Sequence, residues 1–161
     1  MSAFRSHLIK EQLGQVLVQR GIITPEQLEQ ALAAQKEKGG FLGEILTELG
    51  FTTEEEIAQA LAIQHDFPYL PLANYEIDGE VTKLIPEGIA RKYCVLPIDK
   101  MGDILTCVMA NPLDREVVEE IEAHSKCKIE LFVATYTEIK EAIERAYAQK
   151  QPPEGGGSQN G

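Results

Sequence analysis

The sequence predicts an α+β fold: an N-terminal pair of helical hairpins, four helices in all, followed by a small three-stranded sheet covered by helices. Three observations predict it. A stretch of the chain is written twice with helical spacing. Beyond residue 67 the periodicity changes to short apolar runs alternating with helical segments. At 161 residues, with 43% hydrophobic and 25% charged residues, the composition is that of an ordinary globular chain with room for one domain or two small ones.

The doubled stretch decides the first half. Gln12–Gln35 laid over Phe41–Gln64, a shift of 29, gives eleven identities in twenty-four positions, among them Leu13/Leu42, Gly14/Gly43, Leu17/Leu46, Gly21/Gly50 and Gln35/Gln64. Each copy reads as helix, turn, helix. Leu13, Val16 and Leu17 repeat at i, i+3, i+4, and Gly21 follows where a helix end favours positive φ. Thr24 is an N-cap, Pro25 takes the first helical position, and Gln27 completes a capping box. Leu28, Ala31, Leu32 and Gln35 continue the inner stripe. In the second copy Leu42, Ile45, Leu46 and Leu49 form the stripe, Gly50 ends it, and Thr53 with Glu56 caps the next helix. A lone hairpin cannot bury its apolar face, so the two copies are expected to pack together across the spacer Lys36–Gly40.

The remaining elements follow in order. Residues 1–11 read as a lead-in or first helical turn, and Pro68 breaks the fourth helix. Tyr69–Leu72 is extended, and Glu80–Leu84 and Glu87–Tyr93 are short helices separated at Pro86. Cys94–Asp99 and Asp103–Met109 are strands joined at Lys100-Met101-Gly102. Arg115–Ser125 is a helix with Val117, Val118 and Ile121 inward, Lys128–Ala134 is the third strand, and Thr137–Lys150 is a closing helix with Ile139, Ala142, Ile143 and Ala146 inward. Gln151–Gly161 (QPPEGGGSQNG) has linker composition. The expected division is 1–66 for the hairpins, 67–150 for the α+β part and 151–161 for a linker to further chain.

Composition excludes several function classes. A net charge of −11 argues against a nucleic-acid surface, which needs clustered Lys and Arg, and against anionic membranes. No apolar run approaches the roughly 20 residues of a membrane span, and the opening residues lack a signal-peptide core, so a cytoplasmic protein is expected. Cys94, Cys107 and Cys127 have no metal-ligand spacing and read as reduced, buried thiols. His7, His65 and His124 are scattered, and no metal site is expected. There is no GxxxxGK[ST] phosphate loop, and Gly155–Gly157 lacks the Lys and the following helix that a phosphate cradle requires. Glu54–Glu56 sits in a helix first turn, where its charge suits the helix dipole. No catalytic residues are assigned.

The doubled motif resembles the N-terminal domain of the type II secretion and type IV pilus assembly ATPases, also called the MshEN or GspE N-terminal domain. Pro86-Glu87-Gly88-Ile89-Ala90, the strand pair VLPIDKMGDILTCVMANP and the closing EIKEAIERAY are similar to that family too, so the resemblance spans about Glu11–Lys150. It implies a non-catalytic cytoplasmic module ahead of a C-terminal ATPase motor. Such a module docks the motor onto the cytoplasmic domain of an inner-membrane platform protein, without DNA, RNA or direct membrane insertion. No cofactor is required. The resemblance also implies cyclic di-GMP as a ligand of the doubled motif, which some members bind. Carried over by position, the site would comprise Gln12, Leu13, Gly14, Gly21, Ile22, Leu28, Leu32 and Gln35 from the first copy. From the second it would take Leu42, Gly43, Leu46, Gly50, Leu61 and Gln64. In one respect the chain departs from the pattern: Gln12 stands where the family has Arg, and loss of a charge-assisted hydrogen bond costs on the order of 1.5–3 kcal/mol.

Overall fold

The computed structural model describes residues 13–150, with side chains as far as Ala148; the expected lead-in, Gln12 and the linker Gln151–Gly161 lie outside the described residues. The doubled sequence is a doubled backbone. Helix α1 covers 13–19, and α2 covers Pro25–Lys38. In the second copy α3 spans Leu42–Glu48 and α4 spans Glu54–His65. Both first helices end alike. Ile22 N–H donates to Leu17 O at 2.9 Å and Phe51 N–H to Leu46 O at 3.0 Å, while Gly21 N–H reaches Val18 O and Gly50 N–H reaches Thr47 O. These are Schellman ends, and they place Gly21 at φ 73° and Gly50 at φ 80°, backbone that a Cβ disfavours. Both expected capping boxes are formed, Thr24 with Gln27 and Thr53 with Glu56.

The hairpins share one core, in which Leu13, Leu17, Ala31, Leu42, Leu46, Ile57 and Leu61 are buried together with Leu113 and Val133 from farther along the chain. Leu49 departs from the expected stripe: it is 44% exposed, because the Schellman end turns the chain away before that position can face the core.

Beyond α4, which stops at Asp66 in the left-handed region, Pro68–Leu70 runs alongside the last strand. The short helices α5 (Gly79–Thr82) and α6 (Glu87–Tyr93) follow. Strand β1 (Val95–Met101) pairs antiparallel with β2 (Ile104–Met109), with a bulge between Pro97 and Asp99. The hairpin connection is tighter than expected: Lys100 and Met101 pair with Leu105 and Ile104, leaving Gly102 and Asp103 as the turn, with Gly102 at φ 61°. Helix α7 (Arg115–Ser125) makes the crossover to β3 (Lys128–Val133), which is parallel to β2, and α8 (Tyr136–Lys150) closes the chain. The sheet order is β1-β2-β3. A second core gathers Leu96, Leu105, Cys107, Met109, Ile121, Ile139, Ile143 and Tyr147 between sheet and helices.

Three cross-links hold α8 against the hairpins. Glu54, the first residue of α4, accepts from Thr137 N–H at 2.7 Å and from Thr137 Oγ1 at 2.6 Å, so its carboxylate caps the start of α8. Lys140 pairs with Glu44. Tyr136 lays its ring against Gly43 and beside Phe41, ring centroids 5.3 Å apart.

Candidate functional site

The residues predicted to form a site separate by physical role. Leu13, Leu42, Leu46 and Leu61 are fully buried core residues, their side chains spent on packing the hairpins. Gly14 and Gly43 are buried helix positions where another element comes close. A Cβ on Gly14 would lie 2.5 Å from the end of the Leu28 side chain, and one on Gly43 would lie 2.6 Å from the Tyr136 ring. Gly21 and Gly50 are exposed and serve the turns. Ile22, Leu28 and Leu32 are half-buried against the hairpin core. The two motif-ending glutamines diverge: Gln35 is 8% exposed and its Nε2 donates to Gly40 O at 2.9 Å, whereas Gln64 is exposed.

Two of the predicted residues, Gln35 and Leu42, meet in a cleft of about 310 Å3 between the hairpins and the α+β part. Gly40 and Phe41 complete its hairpin wall. The opposite wall comes from the end of α6 (Lys92, Tyr93), the end of β2 and the turn into α7 (Met109, Asn111, Asp114), and the start of α8 (Tyr136). This volume is near the lower end of small-molecule sites, roughly 300–1,000 Å3. Its composition suits a flat ring carrying polar edges. Phe41, Tyr93 and Tyr136 supply aromatic surface, Gln35 and Asn111 offer amides, and Lys92, its Nζ 5.1 Å from the Tyr93 ring centre, brings a cation.

Each wall residue has a local reason for its place. Lys92 and Tyr93 end α6 just before Cys94 turns left-handed at φ 55°. Asn111 Oδ1 accepts from Leu113 N–H at 3.3 Å, and Asp114 caps α7 through Val117 N–H. Tyr93 donates its hydroxyl to Glu120 at 3.0 Å, which turns the phenol away and leaves its ring as a surface. Tyr136 is buried, its hydroxyl against the Gly43 backbone, and burial above all holds its ionisation well above the ordinary tyrosine range. It is a neutral wall, not an acid or base. The sequence motif pointed only to the hairpin wall. For the other wall the signals available were the adjacent Lys92-Tyr93 and the Asn111-Pro112-Leu113-Asp114 turn that leads into the helix at Arg115–Ser125.

Nothing in this arrangement is a catalytic constellation. Cys94 and Cys107 are buried and unpaired, their thiols pushed up to about 12 chiefly by burial. No group of His, Cys, Asp and Glu side chains among the described residues is placed to hold a metal ion. No helix among the described residues is long and apolar enough to cross a membrane.

Residues 65–153 match the model of the MshEN domain, a match that begins just past the doubled motif. Among curated proteins the chain is similar to the type IV pilus assembly ATPase PilB of Myxococcus xanthus, 31% identical over 140 residues covering 87% of this chain and 25% of the relative. It is also similar to PilB of Thermus thermophilus, 29% identical over 157 residues, covering 93% of this chain and 18% of that one. The chain therefore spans a quarter or less of the length of these relatives. Among solved structures, that of MshE with cdg is 34% identical with a TM-score of 0.65, covering 84% of this chain and 98% of that one. The N-terminal domain of XpsE, 20% identical with a TM-score of 0.69 and covering 85% and 94%, shares the fold.

Proposed function

The chain belongs to the MshEN domain family, and on that premise we propose that it is a non-catalytic cytoplasmic module of a pilus or secretion ATPase that binds cyclic di-GMP at the junction of its two parts. The observation that carries this reading is the cleft in which Gln35 and Leu42 of the doubled motif face Lys92, Tyr93 and Asn111. Its likeness to MshE, solved with cdg, supports the choice of ligand. A guanine base would stack on Tyr93 or Phe41 and exchange hydrogen bonds with the Gln35 and Asn111 amides, and Lys92 would offset phosphate charge on a chain whose net charge is −11. The rest of the dinucleotide would lie along the hairpin surface beside Gly21, Ile22, Leu28, Leu32, Gly50 and Gln64. Gly14 and Gly43, covered by Leu28 and Tyr136, would serve by letting those side chains pack close, and the contact expected of Gln12 stays part of this proposal, outside the described residues. The buried leucines 13, 42, 46 and 61 contribute by holding the hairpin shape.

Calorimetric titration with cyclic di-GMP, with cyclic di-AMP as control, tests the reading. Saturable heat with a micromolar or lower dissociation constant is expected, weakened roughly tenfold or more by Lys92→Ala, as for the loss of one charge-assisted contact. Absence of heat at high micromolar nucleotide would overturn it.

A second reading rests on a different observation. Met101 is 73% exposed and Ile104 42% exposed, and the two are partners in the β1–β2 register, forming an apolar knuckle at the hairpin tip. This supports a docking role toward the cytoplasmic domain of an inner-membrane platform protein, with the motor carried C-terminally. Met101→Lys would then weaken capture of that domain without changing nucleotide binding.

A further inference from the structure

The sheet has two edges, and they are not alike. On β1, Pro97 offers no N–H and the bulge between Pro97 and Asp99 interrupts the register, two devices that discourage further pairing. Strand β3 has neither. Its outward backbone groups can be identified from the bonds at its ends. Val133 N–H donates to Pro68 O and Val133 O accepts from Leu70 N–H, both at 2.9 Å, so Val133 faces away from β2. Lys128 N–H donates to Asp103 O at 2.8 Å and Ala134 N–H to Met109 O, so these two face toward it. Alternation along a parallel strand then turns the N–H and C=O groups of Ile129 and Leu131 outward with Val133. Among the described residues no backbone group pairs with them there, whereas Val133 is already served by the Pro68–Leu70 segment.

We propose that this open edge, Ile129 to Leu131, receives an extended peptide segment of a partner protein as a fourth strand, one whose side chains alternate apolar and basic. The proposal deepens the docking reading and rests on it for the existence of a partner. The alternation follows from the two faces. A residue added beside Glu130 shares the face of the row Asp99–Thr106–Glu130, which carries two carboxylates on a chain of net charge −11 and so favours a Lys or Arg. Residues added beside Ile129 and Leu131 share the opposite face, where those two side chains are half-buried at the margin of the core, and there apolar groups extend it. A second copy of this chain is the poorer occupant: antiparallel pairing centred on the open stretch would set Glu130 against Glu130. Addition of a strand to an exposed edge is a general mode of peptide recognition.

The test uses the isotopically labelled chain and an acetylated, amidated peptide of alternating Val and Lys. Saturable shifts and slowed hydrogen exchange are expected at the Ile129 and Leu131 amides, with little change at Lys128 and Glu130, which already pair with β2. N-methylation of the peptide amides that face the edge should weaken binding roughly tenfold or more, and N-methylation of the alternate amides should not. Glu130→Lys should reverse the preference toward a peptide of alternating Val and Glu. Absence of saturable binding at millimolar peptide, indifference to which amides are methylated, or peptide-free protection of these amides by dimerisation would each overturn the proposal. Capture of the platform's cytoplasmic domain by a Leu131→Pro chain that retains its fold would sink the edge while leaving the docking reading standing. Failure of the unaltered chain to capture that domain would sink the docking reading and the partner it supplies, while the peptide titration still decides whether the edge takes a strand.

Discussion

Gly14 and Gly43 occupy equivalent places in the repeat yet answer to different neighbours. The obstacle at Gly14 is the end of the Leu28 side chain, which can rotate aside. At Gly43 it is the Tyr136 ring, fixed by Phe41 and by complete burial. Gly43→Ala is therefore expected to cost about 1–3 kcal/mol by overpacking, and Gly14→Ala distinctly less, measured by urea denaturation. Equal losses would mean that Tyr136 yields as readily as Leu28. The repeat made both glycines visible in the sequence. It could not distinguish them, because Tyr136 lies far along the chain. Gln35 and Gln64 teach the same point: the motif equates them, but only Gln35 has the Gly40 carbonyl and the α+β wall beside it.

Among the elements, helix starts are the most legible feature. Thr24-x-x-Gln27 and Thr53-x-x-Glu56 were readable because side chain and backbone satisfy each other locally. A third box, Thr135 with Glu138, has the same signature and starts the closing helix at Tyr136, one residue ahead of the expected Thr137. Thr135 Oγ1 accepts from Glu138 N–H at 3.1 Å, and Glu138 Oε1 accepts from Thr135 N–H at 3.2 Å and from Tyr69 Oη at 2.6 Å. Thr135→Ala is expected to lower stability by about 1 kcal/mol or somewhat more, against about 1 kcal/mol for the exposed Thr24→Ala. The acidic run Glu54–Glu56 divides in a way its composition did not suggest. Glu56 closes its own box, Glu54 reaches across to Thr137, and Glu55 is exposed. Glu54→Ala should cost about 1–2 kcal/mol for the two lost bonds, while Glu55→Ala should stay within about 0.5 kcal/mol. Thermal melts of the two variants compare them directly.

Over the whole molecule, burial sets the response to alkali. The Cys94 and Cys107 thiols are each pushed up to about 12, in both cases chiefly by burial, and the buried Tyr136 and Tyr147 are raised as well. Below pH 9 these groups are protonated in both folded and unfolded chains. Above it the unfolded chain gives up protons that the folded chain keeps, so stability falls as pH rises from about 9 toward 12. Urea midpoints should drop steadily over that window, and removing one contributor by Cys107→Ala should flatten the slope. A midpoint unchanged to pH 11 would contradict the burial of these groups.

The sequence alone determined the α+β class, the doubled hairpin and its Schellman turns, and the position of nearly every element, because helix periodicity, glycine at positive φ and capping boxes are interactions within a few residues of one another. It also carried the family resemblance through the spacing of those same local signals. Tertiary structure alone decided that Leu49 faces outward, that Tyr136 packs on Gly43, that Glu54 caps a distant helix and that Lys92, Tyr93 and Asn111 complete the cleft opposite Gln35. Each of these joins residues far apart in the chain. A local pattern specifies which residues face inward but not which distant side chain will meet them, and that pairing follows from how the second core docks onto the first.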